Sequence, residues 1–520
     1  MFEKYLNNKI LTLFFLPLLL GSITVFSFQP FNFTLVNFFI LPIIFFLLVF
    51  IKKKSKSIYR KKPYLKNLFI FSTMFGFSFF LSGLYWITFS LTFDESFKIL
   101  IPLCLLLIPL FLSLFFSIAV IIVGPFLSLN LSSIFLFSGS LAFADYLRSK
   151  ILTGFPWNLW AYSFSWNTEL IQISNMIGLF AYNLIIITIF MLPAILFFKI
   201  SILKKFLSLV LLIILLLISY IFGSHRINLN NKLLNTTDIK YNIKVISPNF
   251  ELKYGLSINE IDERLEKLIR YSDPSDNLKT LFIWPEGVFG SYSYEKLRKF
   301  KKKLSKSFNK NHLILLGLNR LNNDGTGFYN SLVIVNNRME IVEEYNKQKL
   351  VPFGEFLPLE KTLNKFGLKK ITEGHGSFLK GIKQKNLLVG DLNILPLICY
   401  EIIFTEFIQK SENGTNLIVN ISEDGWFGNS IGPNQHFAKA IFRAIEHNSF
   451  LIRSANKGIS AIINNKGQVV KKLKPGEAGN IELEVPLIKS ENRIKNDLIF
   501  FSLLITYILF FKFYKKNNDK

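Results

Sequence analysis

Three short polar stretches carry residue types that could do acyl chemistry together. They are Trp284-Pro285-Glu286-Gly287, Tyr345-Asn346-Lys347 running on to Leu350-Val351-Pro352-Phe353-Gly354-Glu355, and Ile398-Cys399-Tyr400-Glu401. A carboxylate can take a thiol proton, the thiolate can attack a carbonyl carbon, and an ammonium can steady the oxyanion that forms. Each residue alone has a plainer reading. Glu286 could be a turn glutamate, Lys347 or its neighbour Lys349 a solvated lysine, and Cys399 a small buried hydrophobe. What speaks against three plain readings is that Glu286, Lys347 and Cys399 each follow an apolar, strand-like run. A carboxylate there is partly desolvated, which raises its pKa and suits it to act as a base. A thiol at the sharp end of a strand is exposed while its backbone stays fixed. The stretch Val351–Glu355 is too apolar for a simple surface turn and should fold against something.

The elements that must position these groups begin at Tyr241. Asn242–Ser247, Thr280–Trp284, His312–Gly317, Ser331–Val335, Ile341–Tyr345, Leu395–Ile398, Leu417–Ile421, Phe450–Arg453 and Ile459–Ile463 read as strands. Ile258–Tyr271, Tyr294–Phe308 and His436–His447 carry apolar residues at helical period. Such alternation predicts an α/β domain with sheets covered by helices.

The rest of the chain is of another kind. Of 520 residues 51% are hydrophobic, 57 are Phe, and the mean hydropathy is +0.37, so the soluble domain belongs to a membrane protein. The net charge of +25 does not indicate a nucleic-acid partner, because much of it lies beside apolar runs, where anionic headgroups and topology account for it. The two cysteines, Cys104 in an apolar run and Cys399, leave no disulfide framework. The five His have no metal-ligand spacing, and neither metal nor cofactor is expected.

Apolar runs near Ile10–Phe26, Leu35–Ile51, Leu68–Leu91, Ile99–Val123, Ser133–Tyr146, Ile171–Phe198, Phe206–Phe222 and Leu498–Phe511 predict about eight spans. The fifth is short and ends in Asp145 and Arg148. The first has no small-residue cleavage site and is expected to stay as a span. The expected organisation is a seven-helix bundle over 1–222, a soluble domain over 223–496, and a last span with a basic tail over 497–520. Lys52 to Lys66, Lys199 to Lys205, and Lys512 to Lys520 mark cytoplasmic sides, and counting spans from a cytoplasmic N-terminus agrees. Gly223–Asp497 should then lie on the opposite, extracytoplasmic face. The loop Gly154-Phe155-Pro156-Trp157-Asn158-Leu159-Trp160-Ala161-Tyr162 reads as an aromatic belt at the interface, or more sharply as a lipid-docking surface.

Glu286, Lys347 and Cys399 match the Glu-Lys-Cys pattern of the nitrilase superfamily. The longer stretches resemble its bacterial membrane branch, the apolipoprotein N-acyltransferases. These stretches include Gly154-Phe155-Pro156-Trp157, Tyr345 through Glu355, Cys399-Tyr400-Glu401, Asn420-Ile421-Ser422, Gly425-Trp426-Phe427-Gly428, Gln435-His436, Arg443 through Glu446, and Arg453 through Gly458. The resemblance spans nearly the whole chain. It departs at Lys349, where the family usually has His, at Asp145, where it often has Glu, and at Tyr254, near a usual Trp.

The resemblance implies a four-layer αββα sandwich on a bundle of eight membrane helices. It implies that Glu286 is the base, that Cys399 forms a thioester with an acyl chain from a phospholipid such as phosphatidylethanolamine, and that Lys347 with a backbone N–H near Tyr400 holds the oxyanion. The acceptor would be the free amine of the diacylglyceryl-modified N-terminal cysteine of an exported lipoprotein. Glu355 would orient the reacting groups, with Tyr400 and Glu401 standing behind them. Tyr254 would touch lipid, and Phe356, Leu357, Trp426 and Phe427 would wall a dry site in which an amine outcompetes water. The setting implied is the bacterial inner membrane, with the catalytic domain in the periplasm and the protein a monomer. Two rivals use the same sequence differently. A membrane-anchored amidase would hydrolyse the thioester, but one span would suffice to anchor it. A transporter with a regulatory domain would carry ionisable residues in several spans, and these runs hold few.

Overall fold

The computed structural model describes residues 5–54, 64–253, 255–275, 277–363, 365, 370, 376–383, 385–490 and 496–518. They fall into two compact units, one of residues 1–88, 98–226 and 494–520, the other of 89–97 and 227–493. Tyr254 lies outside the described residues, as does much of the basic loop after Lys54.

The first unit is helical. Among the described residues six helices are long and apolar enough to cross a membrane: Thr34–Lys54, Tyr64–Thr92, Glu95–Phe126, Leu179–Phe197, Ile202–Asn235 and Asp497–Tyr514. The two remaining predicted spans are the shorter apolar stretch Leu11–Ser27 and the helix Leu131–Lys150, whose last turns carry Asp145, Arg148 and Lys150. Arg148 pairs with Asp145 at 2.8 Å and donates to the carbonyl of Phe155, so the aromatic loop is tied to this helix end.

The second unit is built on two six-stranded sheets. One has the order β12-β1-β2-β3-β4-β5, from β1 (Lys240–Ser247), β2 (Thr280–Ile283), β3 (His312–Leu321), β4 (Phe328–Val335), β5 (Ile341–Asn346) and β12 (Gly479–Pro486). The other has the order β11-β10-β9-β8-β7-β6, from β6 (Leu387–Val389), β7 (Leu392–Ile398), β8 (Leu417–Glu423), β9 (Phe450–Asn456), β10 (Ser460–Ile463) and β11 (Val469–Leu473). β1, β2 and β3 run parallel, as do β7, β8 and β9. Strand alternation makes the layers. Leu281, Ile283, Leu315, Leu332 and Ile334 join Ile394, Ile398, Val419, Ile421 and Ile452 in a core shared by both sheets. Their neighbours Phe282, Trp284, Ile314, Leu316, Val333 and Val335 point the other way. These meet Ile261, Leu265 and Leu268 of helix α1 (Ile258–Ser272) and Leu304 of α2 (Lys301–Ser307). On the far sheet lies α3 (Gly432–His447), against β9. The result is the expected αββα sandwich.

The predicted strands extend by a few residues at most. The helix expected over Tyr294–Phe308 is broken into Tyr294–Leu297, a 3₁₀ turn and α2. β6, β11 and β12 were not predicted from the sequence. β11 and β6 are the edges of one sheet and β12 an edge of the other. β11 and β12 show polar residues to solvent, as at Lys471, Lys472, Glu482 and Glu484, and so lack the apolar signal that marks a central strand, while β6 has only three residues, too few to show a period.

Candidate active site

The parallel strands β2 and β7 and the antiparallel β5 all end at the site. β2 passes into Trp284, whose N–H still bonds the carbonyl of Leu315 at 2.8 Å, and delivers Glu286 two residues later. A Cβ on Gly317 would stand 2.9 Å from Glu286 Cα, so only glycine lets β3 lie this close beneath the carboxylate's backbone. β5 ends at Asn346 and delivers Lys347, which is 1% exposed. The carbonyl of Lys347 accepts from Gly381 N–H at 2.8 Å, and a Cβ on Gly381 would sit 2.1 Å from the Asn346 oxygen. β7 ends at Ile398, and Cys399 opens a 3₁₀ turn with φ +48°. A left-handed residue with a side chain costs on the order of 1–3 kcal/mol and persists only where its surroundings fix it.

Lys347 Nζ stands 2.9 Å from Glu355 Oε1 and 3.5 Å from Glu286 Oε1. Asn330 Nδ2, on β4, is 2.7 Å from the same two oxygens. Only the amide nitrogen can face two acceptors, which settles the orientation of that side chain. Glu286 Oε2 accepts from the Glu423 N–H at 3.1 Å, and Glu355 Oε2 from Val351 N–H at 2.8 Å. Burial alone would lower the Lys347 ammonium, but the carboxylates of Glu286 and Glu355 outweigh it and hold it above the ordinary lysine range. Cys399 keeps partial exposure, yet desolvation and the charge of Glu286 push its thiol up, against a smaller opposing effect of Lys347. The resting group is therefore a thiol, and making it a nucleophile requires a base at hand.

Glu401 ties the turn of Cys399 to the loop of Lys347. Its Oε1 accepts from the Tyr345 hydroxyl at 2.8 Å, Gln348 N–H at 2.7 Å and Lys349 N–H at 3.2 Å, and its Oε2 from Ile398 N–H at 2.8 Å. Desolvation raises it to about 7. Lys349 turns away, to Glu406 at 3.0 Å and over the ring of Phe404. Tyr400 is buried edge-on to Phe404. Phe356 and Leu357 continue the loop that carries Glu355, whose carbonyl accepts from Phe378 N–H at 2.9 Å. Trp426 meets Phe93 edge to face at 5.3 Å, and Phe427 turns its ring to His436, also at 5.3 Å.

Sequence reasoning missed Asn330 and Glu423. Asn330 sits within a strand and has no motif around it. Glu423 follows the matched Asn420-Ile421-Ser422, and its side chain is held by Gly425 N–H at 2.8 Å and Asn456 Nδ2 at 2.7 Å. Among the described residues, no cluster of three or more His, Cys, Asp or Glu is placed to hold a metal ion.

Two family descriptions match the chain. Apolipoprotein N-acyltransferase N-terminal domain covers residues 20–192, and Carbon-nitrogen hydrolase covers 259–491. The apolipoprotein N-acyltransferase of Rhodopseudomonas palustris is 30% identical over 492 residues, 91% of this chain and 89% of that protein. The protein of the same name from Rickettsia prowazekii is 32% identical over 455 residues, covering 84% and 87%. Among solved structures, a CN-hydrolase superfamily protein of Xanthomonas campestris aligns with 48% of this chain and 91% of its own, at 14% identity and a TM-score of 0.35. With both family descriptions in order along one chain and relatives of this extent, the chain belongs to the apolipoprotein N-acyltransferase family.

Proposed function

We propose that this multi-pass bacterial membrane protein N-acylates lipoproteins by a two-step transfer through Cys399. The observation that carries the reading is a thiol at a strained strand exit that feels both Glu286 and the buried ammonium of Lys347, in a chain whose relatives bear this activity in their name.

In the first step Glu286 takes the Cys399 proton, and the sulfur attacks the ester carbonyl of a phospholipid, for which phosphatidylethanolamine is the proposed donor. The carbonyl electrons move to oxygen, where Lys347 and a backbone N–H near Tyr400 receive the charge. A good oxyanion donor is worth about 3–4 kcal/mol. The C–O bond breaks, the lysophospholipid oxygen takes the proton back from Glu286, and a thioester remains. In the second step the neutral N-terminal amine of a diacylglyceryl-cysteine attacks that thioester. Glu286 takes an amine proton, the C–S bond breaks, and the proton returns to sulfur. Glu355 and Asn330 keep Lys347 and Glu286 in register throughout. We further propose that the protein is a monomer of the inner membrane, with residues 223–496 in the periplasm and Phe356, Leu357, Trp426, Phe427 and Tyr254 contributing to the lipid-facing walls.

Mass spectrometry of a lipoprotein's N-terminal peptide, from cells with and without this protein, tests the reading: a third acyl chain should depend on it. Labelled phospholipid should leave a hydroxylamine-sensitive adduct on the protein, lost in Cys399→Ser. Rapid release of free fatty acid with no acylated amine would make the protein a hydrolase instead.

A further inference from the structure

Beneath the nucleophile turn lies a closed set of buried polar groups that the reaction above does not use. His436 of α3, Asp424 after β8 and Arg453 of β9 are each at most 1% exposed. Arg453 grips Asp424 with one nitrogen, 2.9 and 2.8 Å from its two oxygens, and the same nitrogen stands 3.0 Å from His436 Nδ1. The Ser422 hydroxyl donates to Asp424 at 2.6 Å, and a second Arg453 nitrogen donates to Asn420. On the other side of the imidazole, Nε2 lies 3.3 Å from the carbonyl oxygen of Cys399. The edge-to-face contact with Phe427 fixes the ring plane.

The surroundings decide which nitrogen carries the proton. A carbonyl oxygen can only accept, so Nε2 facing it must be protonated. Nδ1 faces both the donor-only guanidinium of Arg453 at 3.0 Å and an oxygen of Asp424 at 3.1 Å. That oxygen already accepts from Ser422 and Arg453, so with Nε2 protonated and the ring neutral, Nδ1 is bare and accepts from Arg453. A doubly protonated ring would set N–H against N–H and bury a second cation beside Arg453. Desolvation and that guanidinium lower His436 to about 4, against a smaller opposing pull from Asp424 3.1 Å away, so the ring is neutral through the physiological range. Asp424 in turn is held ionised, well below the usual carboxylate range: burial works against this but is outweighed by Arg453.

We infer that His436 is a positioning residue that aims the oxyanion-binding N–H of Tyr400 by holding the Cys399 carbonyl. The inference rests on the acyl-transfer reading. The Cys399 carbonyl and the Tyr400 N–H belong to one peptide unit, and in a trans peptide they point in opposite directions across the plane. Pulling the carbonyl down toward α3 turns the N–H up toward the reacting carbon. Cys399 has φ +48° and lies past the last ladder pair of β7, Ile398 with Ile421, so the sheet does not set the tilt of this peptide. Asp424 and Arg453 act one step further back, by fixing the tautomer that donates.

Full-length protein in a Cys104→Ser background separates this role from general support, because Cys399 is then the only thiol. Alkylation by iodoacetamide passes through no oxyanion, whereas acylation by labelled phospholipid does. His436→Leu should lower the acylation rate on the order of 100-fold, the loss typical of one oxyanion donor, while its alkylation rate across pH stays close to the parent's. His436→Gln, whose amide N–H can reach the carbonyl, should recover much of the acylation, and the shorter His436→Asn should not. Acylation by His436→Leu at the parent's rate overturns the inference. So does a parallel loss of acylation and alkylation at an unchanged melting temperature. If His436→Leu melts lower than the parent, the Gln and Asn variants decide, and equal acylation by these two overturns it. A parent protein that is alkylated at Cys399 but never acylated refutes the acyl-transfer reading, and this inference falls with it.

Discussion

Glu286 and Glu355 meet at a single amide nitrogen, Asn330 Nδ2, 2.7 Å from one oxygen of each. The same two oxygens face Lys347. Two carboxylates this close repel, and the site offsets this with one cation and one two-proton donor. Asn330 therefore supports Glu286, the proposed base, and is not merely a strand residue. Asn330→Leu should slow thioester formation about 10–100-fold, the worth of hydrogen bonds to charged groups, and Asn330→Asp, which adds a third carboxylate, should be worse. Labelling of Cys399 by radioactive phospholipid measures both. Equal labelling in Asn330→Asp and the parent would remove Asn330 from the site.

Lys347 and Lys349 are two residues apart but face different partners. Lys347→Arg should fail, because a planar guanidinium cannot replace a compact ammonium between Glu286 and Glu355. Lys349→Ala should keep near-normal acyl transfer, because its ammonium serves Glu406 and Phe404. Initial rates of lipoprotein N-acylation compare the two. An inactive Lys349→Ala beside an active Lys347→Ala would reverse the assignment.

Glu423 makes stability depend on pH. Desolvation raises this carboxyl to about 8, above its unfolded value, so the folded protein holds the proton more tightly. The stability this provides is fully present below the ordinary glutamate value of about 4.3 and is lost as pH rises through about 8. The melting temperature should fall between mildly acidic and alkaline pH, and Glu423→Gln, which has no proton to lose, should flatten that fall. Parallel pH profiles for parent and variant would show that Glu423 does not titrate there.

Topology constrains the substrate independently of the chemistry. With cysteines 104 and 399 replaced by serine, a cysteine at Lys310, an exposed position after α2, should react with a membrane-impermeant maleimide in intact spheroplasts. One at Ser57 should react only after the membrane is broken. The opposite pattern would place residues 223–496 in the cytoplasm, away from exported lipoproteins.

Much of this protein was legible in its sequence. Runs such as Leu281–Trp284 are apolar at every position, so both faces of the strand must be covered, and the two cores of the layered sandwich follow from that local pattern. Long apolar runs likewise mark the helices that can cross a membrane, because a bilayer tests only length and polarity. Glu286, Lys347 and Cys399 announce themselves by residue type at strand exits, and Glu355 by the family resemblance. Tertiary structure alone decided how these groups are charged and held. Asn330 lies 44 residues from Glu286, and the Glu423 N–H that reaches Glu286 lies 137 residues away. His436 contacts the Cys399 carbonyl across 37 residues. Hydrogen bonds of this kind join strands and helices whose order in space no local period encodes. β6 escaped because three residues show no period, and the edge strands β11 and β12 for a related reason: a strand with polar residues toward solvent is recognised by its neighbour in the sheet, and that neighbour exists only once the chain has folded.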